Sequence, residues 1–223
     1  MKKVLLIATF AVASVAGFSQ ARFGAQIGAN FASQNISGDA AIDIYNFTGT
    51  GSAKMGVLIG AFAQIPLSGS LNFRPELNYI QKHSKFDVIG PDYACYTLNY
   101  LEIPLNFTYS VNAGSGNVFF GAGPSIGFGM SGKVKELISS NPETSANVKF
   151  DGKKYDDTDK DTHLKGLDFG LGFMGGYQLS SGLSFNLGYT IGLSNIDPNS
   201  GSSFKNNGFA IKVGYMFGGA AKK

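Results

Sequence analysis

The stretch Leu183-Ser184-Phe185-Asn186-Leu187-Gly188-Tyr189-Thr190-Ile191-Gly192-Leu193-Ser194 decides the fold. Its odd positions are Leu, Phe, Leu, Tyr, Ile and Leu. Its even positions are Ser, Asn, Gly, Thr, Gly and Ser. A period of two puts these sets on opposite faces of a strand, because successive side chains of extended backbone point to opposite sides. The run is also long enough for a tilted membrane-spanning strand, which needs about 9–11 residues.

The same alternation recurs on either side. It predicts strands over Phe23–Phe31, Met55–Ile65, Leu71–Gln81, Tyr96–Tyr109, Val118–Met130, Leu167–Leu179 and Phe209–Phe217. Pro75 cannot donate to a ladder, which predicts a bulge or a missing bond in the third of these. The connections alternate in length. Ser33–Lys54, His83–Ala94, Ser131–His163 and Asp197–Asn206 are long; Leu67–Ser70, Asn112–Gly116 and Ser180–Gly182 are short turns. Short periplasmic turns and longer outer loops characterise outer-membrane barrels. The fold expected is all-β: an eight-stranded antiparallel up-and-down transmembrane β-barrel, with both ends in the periplasm.

Composition agrees with many short strands. Charged residues make up 15% of the chain, aromatics 13%, and there are 31 glycines. A disordered chain would be poorer in aromatics and richer in charge. The lone Cys95 excludes an internal disulfide framework. The first residues read as an address: Met1–Lys3 is basic, Val4–Val15 is almost wholly apolar, and small residues precede Ser19-Gln20-Ala21. This is the pattern of a secretory signal peptide, too short for a spanning helix. The domains expected are a signal peptide over 1–21, cut after Ser19 or Ala21, a barrel over 22–217 and a short tail over 218–223. Without Lys2 and Lys3 the formal charge falls from +3 to about +1. No basic face for nucleic acid emerges.

Residue size indicates which face lies inside. Glycines such as Gly24, Gly28, Gly121, Gly123, Gly170 and Gly188 fall on the polar face, and bulky Phe73, Phe107, Phe120, Phe169, Phe185 and Phe217 on the apolar one. A small barrel has an interior just wide enough for side chains to fill, so small residues suit the axis and large apolar ones the lipid. Phe23, Phe73, Phe107, Tyr109, Phe120, Tyr177, Phe185, Tyr215 and Phe217 lie near the short turns and predict an interfacial girdle. The polar face also carries Arg74, Glu76, Glu102, Asp168 and Lys212, with Lys82 nearer the outer rim. Unpaired charges in a narrow lumen cost several kcal/mol each, so these are expected to pair as a structural network.

Several stretches resemble the PorT-like outer-membrane β-barrel family of Gram-negative bacteria. They are Phe23-Gly24-Ala25-Gln26-Ile27-Gly28, the run from Arg74-Pro75-Glu76-Leu77 to Tyr79, Tyr100-Leu101-Glu102-Ile103-Pro104-Leu105, Gly121-Ala122-Gly123-Pro124, Asp168-Phe169-Gly170 and Gly214-Tyr215-Met216-Phe217. The resemblance covers nearly the whole chain after the leader. It implies a barrel without an assigned activity, some of whose relatives are linked to secretion machinery, and it supplies no active-site residue. The tail beyond Phe217 departs from barrels that end on an aromatic.

Three motifs suggest chemistry. Gly170-Leu171-Gly172-Phe173-Met174-Gly175 fits a dinucleotide pattern but lies inside a strand instead of opening a helix. Asp157, Asp159 and Asp161, with Asp168 further on, space like a calcium loop, yet Thr162 stands where the turn glycine belongs. That leaves at most loose divalent-cation binding in Asp151–Asp161. His83-Ser84 suggests a lipid hydrolase, but adjacent side chains of a strand point apart, and His163 shows no clear partner. The chain is therefore expected to be no enzyme and to need no cofactor or metal. It is expected to be a monomeric outer-membrane barrel of structural or interaction type with a filled polar lumen. Its partners would be the bilayer and, through the outer loops, envelope or secretion proteins. The alternative is a narrow porin-like channel for small solutes or ions.

Overall fold

The structure is a computed structural model that describes residues 21–38, 49–87, 92–138, 141–154 and 158–217. The expected leader up to Gln20, the expected tail over 218–223 and Asp157 lie outside the described residues.

Eleven strands form one sheet: β1 (Arg22–Ser37), β2 (Gly49–Thr50), β3 (Ser52–Ser68), β4 (Leu71–Asp87), β5 (Tyr93–Ala113), β6 (Gly116–Ile138), β7 (Asn141–Lys149), β8 (Thr162–His163), β9 (Leu167–Leu179), β10 (Leu183–Gly192) and β11 (Ser203–Met216). Pairing runs from β1 through β3, β4, β5, β6, β9, β10 and β11 and returns to β1, so the sheet is ring-like. β2, β7 and β8 join it at the end away from the short turns.

This corrects the expected eight-stranded antiparallel up-and-down barrel. The sheet has eleven strands, and it is mixed, because β7 and β8 pair parallel. The error came from the segments read as loops. β1 runs on to Ser37, β4 to Asp87 and β6 to Ile138, and β7 lies wholly within the stretch read as the Ser131–His163 loop. Polar side chains in β1 and charged ones in β4, β6 and β7 mask the alternation that marks a strand there. At Pro75 there is no bulge, since the β3–β4 register passes unchanged from Phe62↔Glu76 to Ile65↔Phe73, but the pairing of Pro75 with β3 is missing between them. Irregularities fall instead between Lys54 and Leu58, between Pro66 and Ser68, and beside Asn99 and Tyr100.

Three tight turns close one end of the ring. Gly69, Gly114 and Gly182 occupy them with φ of 54°, 59° and 98°, a region that costs residues with a Cβ. Around the middle of the ring the burial is that of a soluble protein turned inside out. Ile27 is 60% exposed and Phe120 58%, whereas Arg74 is 1% and Glu76 2% exposed. Rings near the short turns meet across strands: Phe73 and Phe107 at 5.2 Å, Tyr109 and Phe120 at 5.7 Å. No helix among the described residues is long and apolar enough to cross a membrane.

Towards the other end this arrangement reverses. On β5 the outward row passes from Phe107, Leu105, Ile103 and Leu101 to Asn99 and Thr97. The inward row passes from Thr108, Asn106 and Glu102 to Tyr100, Leu98, Tyr96 and Ala94, all four buried. On β6 outward Phe128 and Met130 give way to Ser131, Lys133 and Lys135, while Val134 turns inward. Each of these strands is thus apolar-out over one part and apolar-in over the next. The switch marks where the surroundings change from hydrocarbon to water.

Candidate functional site

The lumen is built from inward rows of the long strands. Those rows are polar because the opposite rows are spent on the apolar wall. Glu76 on β4 is the hub nearer the short turns. It accepts hydrogen bonds from Lys212 Nζ on β11 at 2.7 Å, Gln26 Nε2 on β1 at 2.7 Å, Asn78 Nδ2 at 3.1 Å and Arg74 Nε at 3.3 Å. The Arg74 guanidinium also lies 3.8 Å above the Phe62 ring, a contact between a cation and the negative ring face.

The second hub is Lys82. Its Nζ donates to Asp168 Oδ2 on β9 and pairs with Glu102 Oε2 on β5, each at 3.1 Å. Asp168 also accepts from Asn206 Nδ2 at 2.8 Å and Ser194 Oγ at 3.0 Å. All five residues singled out on the polar face therefore lie in the lumen, in two groups and not one. Arg74, Glu76 and Lys212 form the first; Glu102 and Asp168 meet through Lys82 in the second. The first has two cations to one anion and the second the reverse, so charge cancels over the whole. A cavity of about 50 Å³ separates them, lined in part by Glu76, Asn78, Lys82, Glu102 and Lys212.

Beyond Lys82 the lumen becomes apolar. Ile36, Phe86, Tyr96, Leu98, Tyr100, Val134, Val148, Leu164, Ile196 and Phe204 pack there as one buried cluster. Tyr96 sits between Phe86 and Phe204 at 5.9 and 5.4 Å, and Phe150 stacks edge-on against Tyr100 at 5.2 Å. A Cβ at Gly129 would collide with the Phe150 ring, so that glycine seats it. Sequence reasoning missed this plug, since Ile36, Phe86, Val134, Val148 and Phe204 all fall in stretches read as loops. Its signal was present in runs such as Lys133-Val134-Lys135, where one apolar residue alternates with charge.

His163 corrects a second expectation. It has two partners: its ring nitrogens meet Asp151 Oδ1 at 2.7 Å and Asp159 Oδ2 at 3.0 Å. The hydrogen bond to Asp151 raises its pKa above the ordinary 6.5; burial opposes this and Asp159 adds to it. Asp161 pairs instead with Lys149 at 2.6 Å, and Asp168 faces the lumen. The calcium-like aspartates that are described do not converge. Among the described residues no group of three His, Cys, Asp or Glu is placed to hold a metal ion. Ser84 Oγ donates to Gln34 inside the lumen, while His83 occupies the opposite face of β4. The glycines of Gly170–Gly175 lie within strand β9.

A sequence model of the family described as outer membrane protein beta-barrel domain matches residues 15–197. The chain belongs to this family. An outer-membrane location follows in general terms, and it accounts for the apolar wall. As an outer-membrane barrel protein the chain has distant structural likenesses. The attachment invasion locus protein Ail of Yersinia pestis, solved with the heparin analogue sucrose octasulfate, is 12% identical with a TM-score of 0.40. That match covers 88% of this chain and 99% of Ail. Neisserial surface protein A is 12% identical with a TM-score of 0.42, covering 87% and 97%. No curated protein matches the chain.

Proposed function

We propose that this outer-membrane protein is a structural or interaction barrel. It is a rigid, filled ring that holds its outer segments towards partners and passes no solute. The observation that carries this reading is the apolar plug stacked on the two charge hubs, which fills the lumen at that level with buried side chains. In this reading Arg74, Glu76, Glu102, Asp168 and Lys212 serve stability. Segments at the end of a rigid scaffold commonly carry function, so the outer stretches Ser33–Lys54 and Ser131–His163, strands β2 and β7 included, are the contact surfaces, and envelope or secretion proteins are the partners. The protein acts as a monomer and catalyses no reaction. The stretches Tyr100–Leu105 and Gly121–Pro124 support placing it with the PorT-like members.

The rival reading is a narrow channel for small solutes or ions, favoured only by the cavity between the hubs. Planar-bilayer recording of the purified chain separates the two. No steady single-channel steps are expected, and steady steps would replace the proposal with the channel. In parallel, Glu76→Ala strands Lys212 and Arg74 without their carboxylate. It should cost about 3–5 kcal/mol of stability, the usual penalty for breaking a buried pair, read as a lower unfolding temperature in detergent. An unchanged temperature would remove the structural role of the hubs.

A further inference from the structure

The reversal along β5 and β6 sets a height on the outer wall, and one sector of the wall is basic there. Cross-strand register puts Lys54, His83, Thr97, Lys133 and Asn147 in one row running from β3 to β7. The next row outward contains Lys85, Cys95 and Lys135. Strands lie about 4.8 Å apart, so the first row is about 19 Å long, and the lysines of the two rows lie on β3, β4 and β6. Directly beneath it, Met130 is 60% and Met55 65% exposed, as the rim of the apolar wall.

Within this sector lies a groove of about 530 Å³. Its polar lining is Lys133, Lys135, Lys149, Asn99, Asn147 and the Thr97 and Ser131 hydroxyls, with no carboxylate. Glu143 and Asp161 pair with Lys135 and Lys149 from outside the lining, at 3.2 and 2.6 Å. Lys133 is the lining lysine at its centre, Asn99 Nδ2 donates to Ser131 Oγ at 3.1 Å and Asn147 Nδ2 to Asp161 Oδ1 at 3.3 Å, so the lining is cationic with amide and hydroxyl groups around it, open on its lower side to the lipid-facing wall.

We infer that this groove binds the phosphate of an anionic lipid headgroup in the outer leaflet, whose acyl chains lie along the wall below Met130. The lysine ammonium groups neutralise the phosphate, and the amide and hydroxyl groups donate to its oxygens. The hydrocarbon beneath distinguishes a lipid from free phosphate, because only a lipid occupies both the groove and the wall. Basic groups close to a membrane surface each favour anionic lipid by on the order of fivefold.

The test uses the full chain in phosphatidylcholine vesicles with spin-labelled phosphatidylglycerol or spin-labelled phosphatidylcholine as probe. The wild type should prefer the anionic probe by roughly fivefold or more. Lys133→Gln/Lys135→Gln/Lys149→Gln should bring the preference close to unity, and the triple arginine replacement should keep it. Lys205→Gln, on β11 and away from the groove strands β5, β6 and β7, should leave it intact. The wild-type preference should also collapse in about 1 M salt, where screening acts within ~3 Å, a readout independent of any variant's folding. Equal partitioning of the two probes into the wild type would overturn the inference. So would a preference that survives both the glutamines and the salt, or binding of inorganic phosphate strong enough to displace the anionic probe.

Discussion

His163 shows how much one proton can hold. Its side chain is 4% exposed and lies between two carboxylates. A neutral imidazole carries one N–H and could donate to only one of them, whereas the imidazolium donates to both. The raised pKa of His163 means that its contribution is complete below its ordinary 6.5 and is lost as pH rises through the higher folded value. Asp151 is lowered by the His163 hydrogen bond, and Asp159 by the Asp161 backbone N–H and then by His163. Their contribution is present above the ordinary 3.8 and is lost as pH falls through their lower folded values. Between these limits the clamp holds segment 158–166 against β7. Lys153 near Asp151, at 3.7 Å, and Lys149 on Asp161 are the neighbouring cations. Amide exchange of residues 158–166, corrected for intrinsic rates, should be several-fold slower at pH 6 than at pH 9. His163→Asn should flatten that dependence. An identical pH profile in the variant would assign the protection to something else.

At the scale of the strand, the reversal from apolar-out to apolar-in makes the cost of a charge depend on position and not on exposure alone. Leu187 on β10 is 52% exposed in the middle of the apolar wall, and Thr97 on β5 faces outward beyond the switch. Arg at mid-wall of a membrane barrel costs about 2–4 kcal/mol, and near the interface about 0–1. Urea unfolding in lipid vesicles should therefore show Leu187→Arg strongly destabilised and Thr97→Arg nearly unchanged; equal costs would mean that the wall does not face hydrocarbon. The same reversal explains what the sequence reveals. Leu183–Ser194 and Val118–Met130 are readable because one face is uniformly apolar over the span of a bilayer. The lumen charges are readable as well, because a charge on the polar row of a narrow ring has only other lumen groups to meet. Their division into two hubs is not, since Lys82 joins Glu102 and Asp168 only through the register of β4, β5 and β9. The plug was hidden for a different reason. Beyond the switch the apolar row changes face within a single strand, so Tyr96, Leu98 and Tyr100 continue the polar row of the wall, and charges on the other row make Ser131–Lys149 resemble a loop.

Taken whole, the molecule is polarised along its axis. The three short turns and the ends of β1 and β11, paired at Gly24 and Met216, lie at one end. The plug, β2, β7, β8 and the His163 clamp lie at the other. Within the lumen the cation-rich hub is nearer the short turns and the anion-rich hub nearer the plug. An outer-membrane barrel keeps short turns on the periplasmic side and its longer segments outside, so we propose that the plug and clamp face the exterior. Single cysteines in a Cys95→Ser background test this orientation directly. Ser200→Cys lies in an exposed connection at the plug end, and Ser181→Cys in an exposed turn at the other. A membrane-impermeant maleimide applied to intact cells should label the first and spare the second, and both should react once the outer membrane is permeabilised. Labelling of Ser181→Cys alone in intact cells would turn the barrel over. It would also place the lysine groove in the periplasmic leaflet, making the orientation of the ring a condition that the lipid-binding inference has to meet.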